Sequence, residues 1–419
     1  MGVREADRIM LTIRHHARAA ALLASLLSLP GAGAPARPSP AAGASKPVAR
    51  RITRVPFELC GNSIYLQLRV NTSRLLWFAL DTGAYSSIIN TPVLQSLNLK
   101  TDGGGVATGA GGRVESVRLS GVNFDVGGAP LRDLSISALP LTPLENSTGR
   151  AMDGILGAEF FRRYVVEIDY DESEISLYEP ATFDYAGRGE SLPLSFIDNH
   201  PYVRAKVELQ GRDAIEGEFV IDAGSNLALI LLPSFIEEHK LRDALPQTLR
   251  TYGRGVGGEV VLPLGRASRL RLGGFRLERP VTAFPSDGTF GRAGKAGNIG
   301  SAVLRHFKVI FDYSRSRVIL EPNKQFDAPF EYDMSGLSLV TESPAFQVVR
   351  VLRVLPHSPA EEAGLRQGDE IITFGGRPAG EYRLSALREM LRQADRKYSV
   401  RVKRGAETFS VELKTRRLV

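Results

Sequence analysis

The sequence predicts a mainly β protein: two homologous β-barrel-like lobes in a pseudo-twofold arrangement, followed by a smaller α+β domain. Three observations carry this reading. An apolar run that ends on a carboxylate occurs twice, "LLWFALDTGAYSSIIN" at 75–90 and "GEFVIDAGSNLALIL" at 217–231, with Asp81 and Asp222 141 residues apart. A second pair, "GILGAEFFRRYVVEIDYDESEISLYEP" from Gly154 and "GNIGSAVLRHFKVIFDYSRSRVILEPN" from Gly297, matches at a shift of 143 through Gly157/Gly300, Tyr164/Phe307, Asp169/Asp312 and Tyr170/Tyr313. Finally, 42 glycines and 24 prolines alongside 43% hydrophobic residues suit a globular chain built of short strands and many turns.

From the N-terminus, residues 1–33 read as a signal peptide. Arg4, Arg8, Arg14 and Arg18 precede "AAALLASLLSLP", of secretory length but too short to span a bilayer, and "GAGAPA" offers the small residues of a cleavage site. An amphipathic N-terminal helix is the alternative. Residues 34–52, with "PARPSPAAGASKP", read as a disordered linker. The expectation is an exported protein, periplasmic or secreted, without a transmembrane anchor after signal cleavage.

Charge excludes one class of partner. The net charge is +7, but residues 1–51 hold eight Lys/Arg against two Asp/Glu, so about +1 is left for everything after them. No basic footprint for nucleic acid survives there. The single cysteine, Cys60, forms no internal disulfide and reads as a small buried apolar group. The six histidines lack ligand spacing, so no metal site is expected.

The repeat defines the next two units, an N-terminal lobe at 53–188 and a second lobe at 189–326. Within each, "TPVLQSLNL" or "LPSFIEEHKL" reads as a short helix after the aspartate loop. A carboxylate at the end of an apolar strand is costly unless it is partnered. Duplication supplies the partner, because packing about a pseudo-twofold axis brings the two aspartate loops together. Two adjacent carboxylates cannot both ionise, so the pair shares a proton. The charged member then takes a proton from water while the protonated one hydrogen-bonds a scissile carbonyl. Gly83 and Gly224 allow backbone to approach the carboxylates and to take dihedrals closed to other residues. Thr82 is expected to hold its loop through a hydroxyl bond. Two separate Asx turns would explain each aspartate alone, but not their matched places.

At these residues the chain resembles the aspartic proteases, nearer the retropepsin-like kind than the pepsins because each half is short. "DTGA" at Asp81 to Ala84 and "DAGS" at Asp222 to Ser225 look like the family's catalytic loops, and "ILG" at 155–157 and "NIG" at 298–300 look like its hydrophobic-hydrophobic-Gly segments. Asn298 departs from that pattern. "GAGG", with Gly109, Gly111 and Gly112, and "GVGG", with Gly255, Gly257 and Gly258, look like flap hairpins that close over substrate; plain hairpin turns touching nothing are the other reading. The resemblance implies an aspartic-type endopeptidase acting on extended polypeptides without a cofactor. Asp81 and Asp222 would be catalytic, supported by Thr82, Gly83, Ala223 and Gly224. Family loops carry paired hydroxyls that brace one another, and Ala223 removes half of that brace. A catalytically inactive pseudoprotease that binds peptides and recruits partners is the rival reading.

After "EPNKQFDAPF" the pattern changes. "FQVVRVLRV" alternates as a strand, "LSALREMLRQA" puts Leu384, Leu387, Met390 and Leu391 on one helical face, and "YSVRVKRGAETFSVELK" closes as a hairpin. With "SPAEEAGLRQGDEI" between them, residues 333–419 resemble a PDZ domain of the bacterial type. The resemblance implies a peptide carboxylate-binding loop at Gly336, Leu337, Ser338 and Leu339, ahead of an edge strand open to strand addition. A PDZ domain that only packs on the lobes is the alternative.

Overall fold

The computed structural model describes residues 50–246, 248–286 and 294–419. The signal peptide, and the linker as far as residue 49, lie outside the described residues. The first strand, Arg51–Cys60, begins two residues inside the expected linker.

Each lobe is organised around the strand that delivers its aspartate. In the first, Leu75–Leu80 pairs antiparallel with Ser63–Val70 and parallel with Gly154–Leu156, so that Leu80 faces Leu156. In the second, Ile215–Asp222 pairs antiparallel with His200–Glu208 and parallel with Gly297–Gly300, so that Asp222 faces Gly300. After each loop the chain returns as a three-residue strand, Ile88–Asn90 or Leu229–Leu231, antiparallel to the glycine-bearing strand. A short helix follows in each case, Thr91–Leu94 or Pro233–Glu238. The delivering strands must be apolar because they are covered on both sides: Phe78, Leu80, Phe219 and Ile221 are all fully buried. Each such side chain contributes roughly 1.5–3 kcal/mol through burial.

Six successive antiparallel strands of a larger sheet join the lobes, in the order Glu190–Pro193, Arg317–Pro322, Phe307–Asp312, Val165–Asp169, Glu174–Tyr178 and Arg51–Cys60. Its seam pairs Val309 with Ile168 and Phe311 with Val166, all buried. One hydrophobic core therefore runs through both halves, and Phe161 of the first meets Phe311 of the second edge-on at 5.3 Å. This shared core fixes the angle at which the aspartate loops face each other.

The last domain has a sheet in the order Leu337–Thr341, Val349–Val354, Glu370–Phe374, Lys397–Arg404 and Glu407–Lys414, with helices Pro359–Glu362 and Leu384–Met390. Leu384, Leu387 and Leu391 are buried in a core separate from that of the lobes, while Met390 packs at its margin. Among the described residues no helix is long and apolar enough to cross a membrane.

Candidate active site

The two aspartate loops meet face to face. Gly83 donates its N–H to Asp81 Oδ1 and Gly224 donates to Asp222 Oδ1, both at 2.8 Å, so each carboxyl is oriented by its own loop. The glycines are required by contact rather than by dihedral angle, which corrects half of the expectation. Neither has a positive φ. A Cβ on Gly83 would lie 2.8 Å from the carboxyl carbon of Asp222, and one on Gly224 would lie 2.3 Å from that of Asp81.

The carboxyls of Asp81 and Asp222 face each other, each packed on the glycine of the opposite loop. Desolvation pushes the Asp81 carboxyl well above the usual carboxylate range, the charge of Asp222 pushes the same way, and the N–H groups of Gly83 and Ala84 only partly oppose them.

Thr82 supplies the half of the cross-brace that the resemblance implies, and acts across the interface rather than within its own loop. Its buried hydroxyl donates to the carbonyl of Ile221 and accepts from the N–H of Ala223, each at 2.8 Å. The reciprocal bonds are missing because Ala223 has no hydroxyl. In its place Ser301, which matches Ala158 of the first lobe, donates to the Ala223 carbonyl at 2.5 Å. Ala223→Thr is expected to restore the second half of the brace and raise stability by about 1 kcal/mol, read as a higher melting temperature with turnover at least preserved. A fall in both would show that the fully buried site has no room for the extra atoms.

The two glycine-rich hairpins roof the site. They are formed by Thr101–Gly109 with Gly112–Val126, and by Leu249–Gly255 with Gly258–Arg266. Their tips touch, so they are not isolated turns: Gly111 donates to the carbonyl of Val256 at 2.8 Å. A Cβ on Gly111 would sit 2.2 Å from Gly258 N, and one on Gly257 2.3 Å from Gly112 O. Gly109 and Gly255 also pack closely, a Cβ on them falling 2.5 Å from Val256 Cβ and 2.8 Å from Ala110 Cβ, so glycine lets the tips cross this closely. Beneath them lies a cavity of about 860 Å³ lined by Asp81, Asp222 and both tips.

The C-terminal domain closes one wall of that cavity, through Leu337 to Val340, Leu352 and Arg353 among others. Arg353 also grips the second hairpin, pairing with Glu259 at 2.5 Å and lying 4.1 Å over the ring of Tyr252. The expected carboxylate-binding loop is not open. Gly336 donates to Asp333 Oδ2 at 2.6 Å and Leu337 donates to Ser335 Oγ at 3.0 Å, so these two N–H groups are satisfied from within. Burial pushes Asp333 up to about 6, against the bonds from Ser335 and Gly336 that favour its charge. The edge strand is engaged as well. Arg388 donates to both Leu339 O and Ser147 O, and Ser343 N donates to Asn146 Oδ1, so helix Thr142–Thr148 of the first lobe lies against the strand where an added peptide was expected. Leu337 and Leu339 are themselves buried.

Three residues of the site escaped the sequence reading as functional groups: Asp333, Arg353 and Asn298. Asp333 had a signal, since Asp-x-Ser-Gly is the spacing of an Asx turn. Arg353 had none. Asn298 stood out only as a break in the hydrophobic-hydrophobic-Gly pattern, and its amide in fact donates to Asp222 Oδ2 at 2.6 Å. Among the described residues no group of three His, Cys, Asp or Glu is placed to hold a metal ion.

Comparison with known families agrees with this geometry at two places. Residues 66–160 match the aspartyl protease family model, a stretch that contains the Asp81 loop, the first hairpin and the strand Gly154–Leu156. Residues 350–404 match a PDZ domain model. No curated protein matches the chain. The chain therefore carries a retropepsin-like aspartyl protease domain and, at its C-terminal end, a PDZ domain of the bacterial type.

Proposed function

We propose that this protein is an aspartic endopeptidase in which Asp81 and Asp222 hydrolyse extended polypeptides held beneath the paired hairpins. The observation that carries the reading is the reciprocal packing of Gly83 on Asp222 and Gly224 on Asp81, which sets the two carboxyls face to face. In the reaction the ionised carboxyl takes a proton from water as the water oxygen attacks the scissile carbonyl. The protonated carboxyl gives its proton to the carbonyl oxygen, and collapse of the hydrated intermediate passes a proton to the leaving amine. Water is the nucleophile and no cofactor enters the scheme. The setting in this reading is outside the cytoplasm, periplasmic or secreted, on the strength of the basic and apolar N-terminal residues.

Incubating the mature chain with denatured casein from acid to neutral pH is expected to yield fragments, and a peptide analogue bearing a tetrahedral hydroxyl should block their release. Tight binding of that analogue without any cleavage would point instead to a peptide-binding pseudoprotease.

In this reading the PDZ domain serves the cleft as a wall and as a tether for one hairpin. Arg353→Ala should free the second hairpin by removing a stacked and paired cation worth roughly 1 kcal/mol, and so raise KM about fivefold for short peptides with kcat little changed. An unchanged KM would separate the PDZ domain from substrate binding in the cleft.

A further inference from the structure

The two halves of the site differ at one position that matters chemically. Strand Gly297–Gly300 places Asn298 beside Val220, just as Gly154–Leu156 places Ile155 beside Ala79 in the first half. Ile155 has no donor to offer Asp81, whereas Asn298 Nδ2 donates to Asp222 Oδ2 at 2.6 Å. Asp222 Oδ1 already accepts from Gly224 N at 2.8 Å and Ser225 N at 3.1 Å. Both oxygens of Asp222 thus face fixed donors, and a carboxyl so placed is an acceptor. A second detail belongs to the same amide. Asn298 Oδ1 is buried with no hydrogen-bond partner among the described residues, a cost that a merely space-filling residue would not carry.

We propose that Asn298 is a positioning residue that confines the shared proton of the pair to Asp81 and keeps Asp222 as the carboxylate that activates water. The inference rests on the endopeptidase reading only for its catalytic consequence; the location of the proton stands on the hydrogen bonds. The asymmetry gives the cleft a direction. The water-activating group lies on the second lobe, and the group that protonates the carbonyl oxygen lies on the first. The raised affinity of Asp81 for its proton agrees with this division. Other ionisable groups near the pair do not supply it. Tyr313 is buried, and desolvation followed by the two carboxylates pushes its phenol well above its ordinary range, so it stays neutral. The other charged and imidazole groups on the cavity wall are His200, Arg254, Glu259, Glu331, Asp333, Arg353, Arg388 and Arg392.

The test is Asn298→Ile, which copies the first half, with Asn298→Ala as the variant that adds no bulk. For a fluorogenic peptide, the acid limb of kcat/KM against pH reports ionisation of the first carboxyl of the pair. Loss of one charge-assisted hydrogen bond should move that limb up by about one pH unit in both variants. Independently of turnover, carbon NMR of aspartate carboxyls, assigned with Asp81→Asn and Asp222→Asn, should show the two transitions of the pair closer together in the variants than in the parent. An unchanged limb with unchanged carboxyl titrations would overturn the proposal. So would an upward move of the alkaline limb with the acid limb unchanged, because loss of the donor would then have raised the second ionisation and placed the proton on Asp222. If the parent protein cleaved nothing, the endopeptidase reading would fall while the carboxyl titrations still judged Asn298.

Discussion

Asp81→Asn and Asp222→Asn should each reduce hydrolysis by about a thousandfold or more while leaving the fold intact. The mechanism needs one ionised and one protonated carboxyl, and an amide imitates only the neutral partner. Asp81 holds its proton more tightly folded than unfolded, so its contribution to stability is complete below the unfolded carboxyl pKa of about 4 and is lost as pH rises through the higher folded value. Asparagine has no such loss. Asp81→Asn should therefore gain in melting temperature relative to the parent as the buffer goes from acid to neutral. Substantial residual hydrolysis in either variant, measured on one peptide across pH, would rule out a shared pair and require a one-sided mechanism.

Much of this site was legible because the duplication leaves a one-dimensional trace. Matched shifts placed Asp81 and Asp222 in equivalent loops and Gly154 and Gly297 in equivalent strands, and strand pairing then follows from the apolar pattern. What stayed hidden are contacts across the twofold axis. Thr82 reaches residues 139 and 141 positions away, and nothing local to "DTGA" distinguishes a hydroxyl that ties its own loop from one that ties the opposite loop. The same holds for the hairpin tips, whose glycines signal a turn in sequence but meet each other only once the lobes are assembled. The internal bonds of the PDZ loop were hidden for a different reason. "SGLSL" describes a backbone that can bind a carboxylate, and in this fold Asp333, three residues before Gly336, takes that role itself. A family pattern reports what a loop can offer, not what its neighbour has already occupied.

Gly224→Ala should be nearly as damaging as loss of a carboxyl, and more so than Gly83→Ala. A Cβ at 224 would stand 2.3 Å from Asp81 Cγ and 2.4 and 2.6 Å from its two oxygens, whereas one at 83 would stand no closer than 2.8 Å to Asp222. Contacts below about 3 Å demand movement, and here the atoms that must move are those of the candidate catalytic group. Two relaxations are open. Asp81 can rotate away from Asp222, or the second loop can withdraw and stretch the Thr82 bonds to Ile221 and Ala223. Overpacking of this kind costs roughly 1–3 kcal/mol in stability, so the protein should still fold with a lower melting temperature. Either relaxation separates the carboxyls, and kcat should fall about a hundredfold or more with KM changed far less, because the hairpins and the cavity wall that hold the peptide are untouched. Binding of a hydroxyl-bearing inhibitor should weaken in step with kcat, since it too needs both carboxyls at once. Full activity in Gly224→Ala would mean that the loops do not pack with each glycine against the opposing carboxyl, and the shared proton would lose its structural basis.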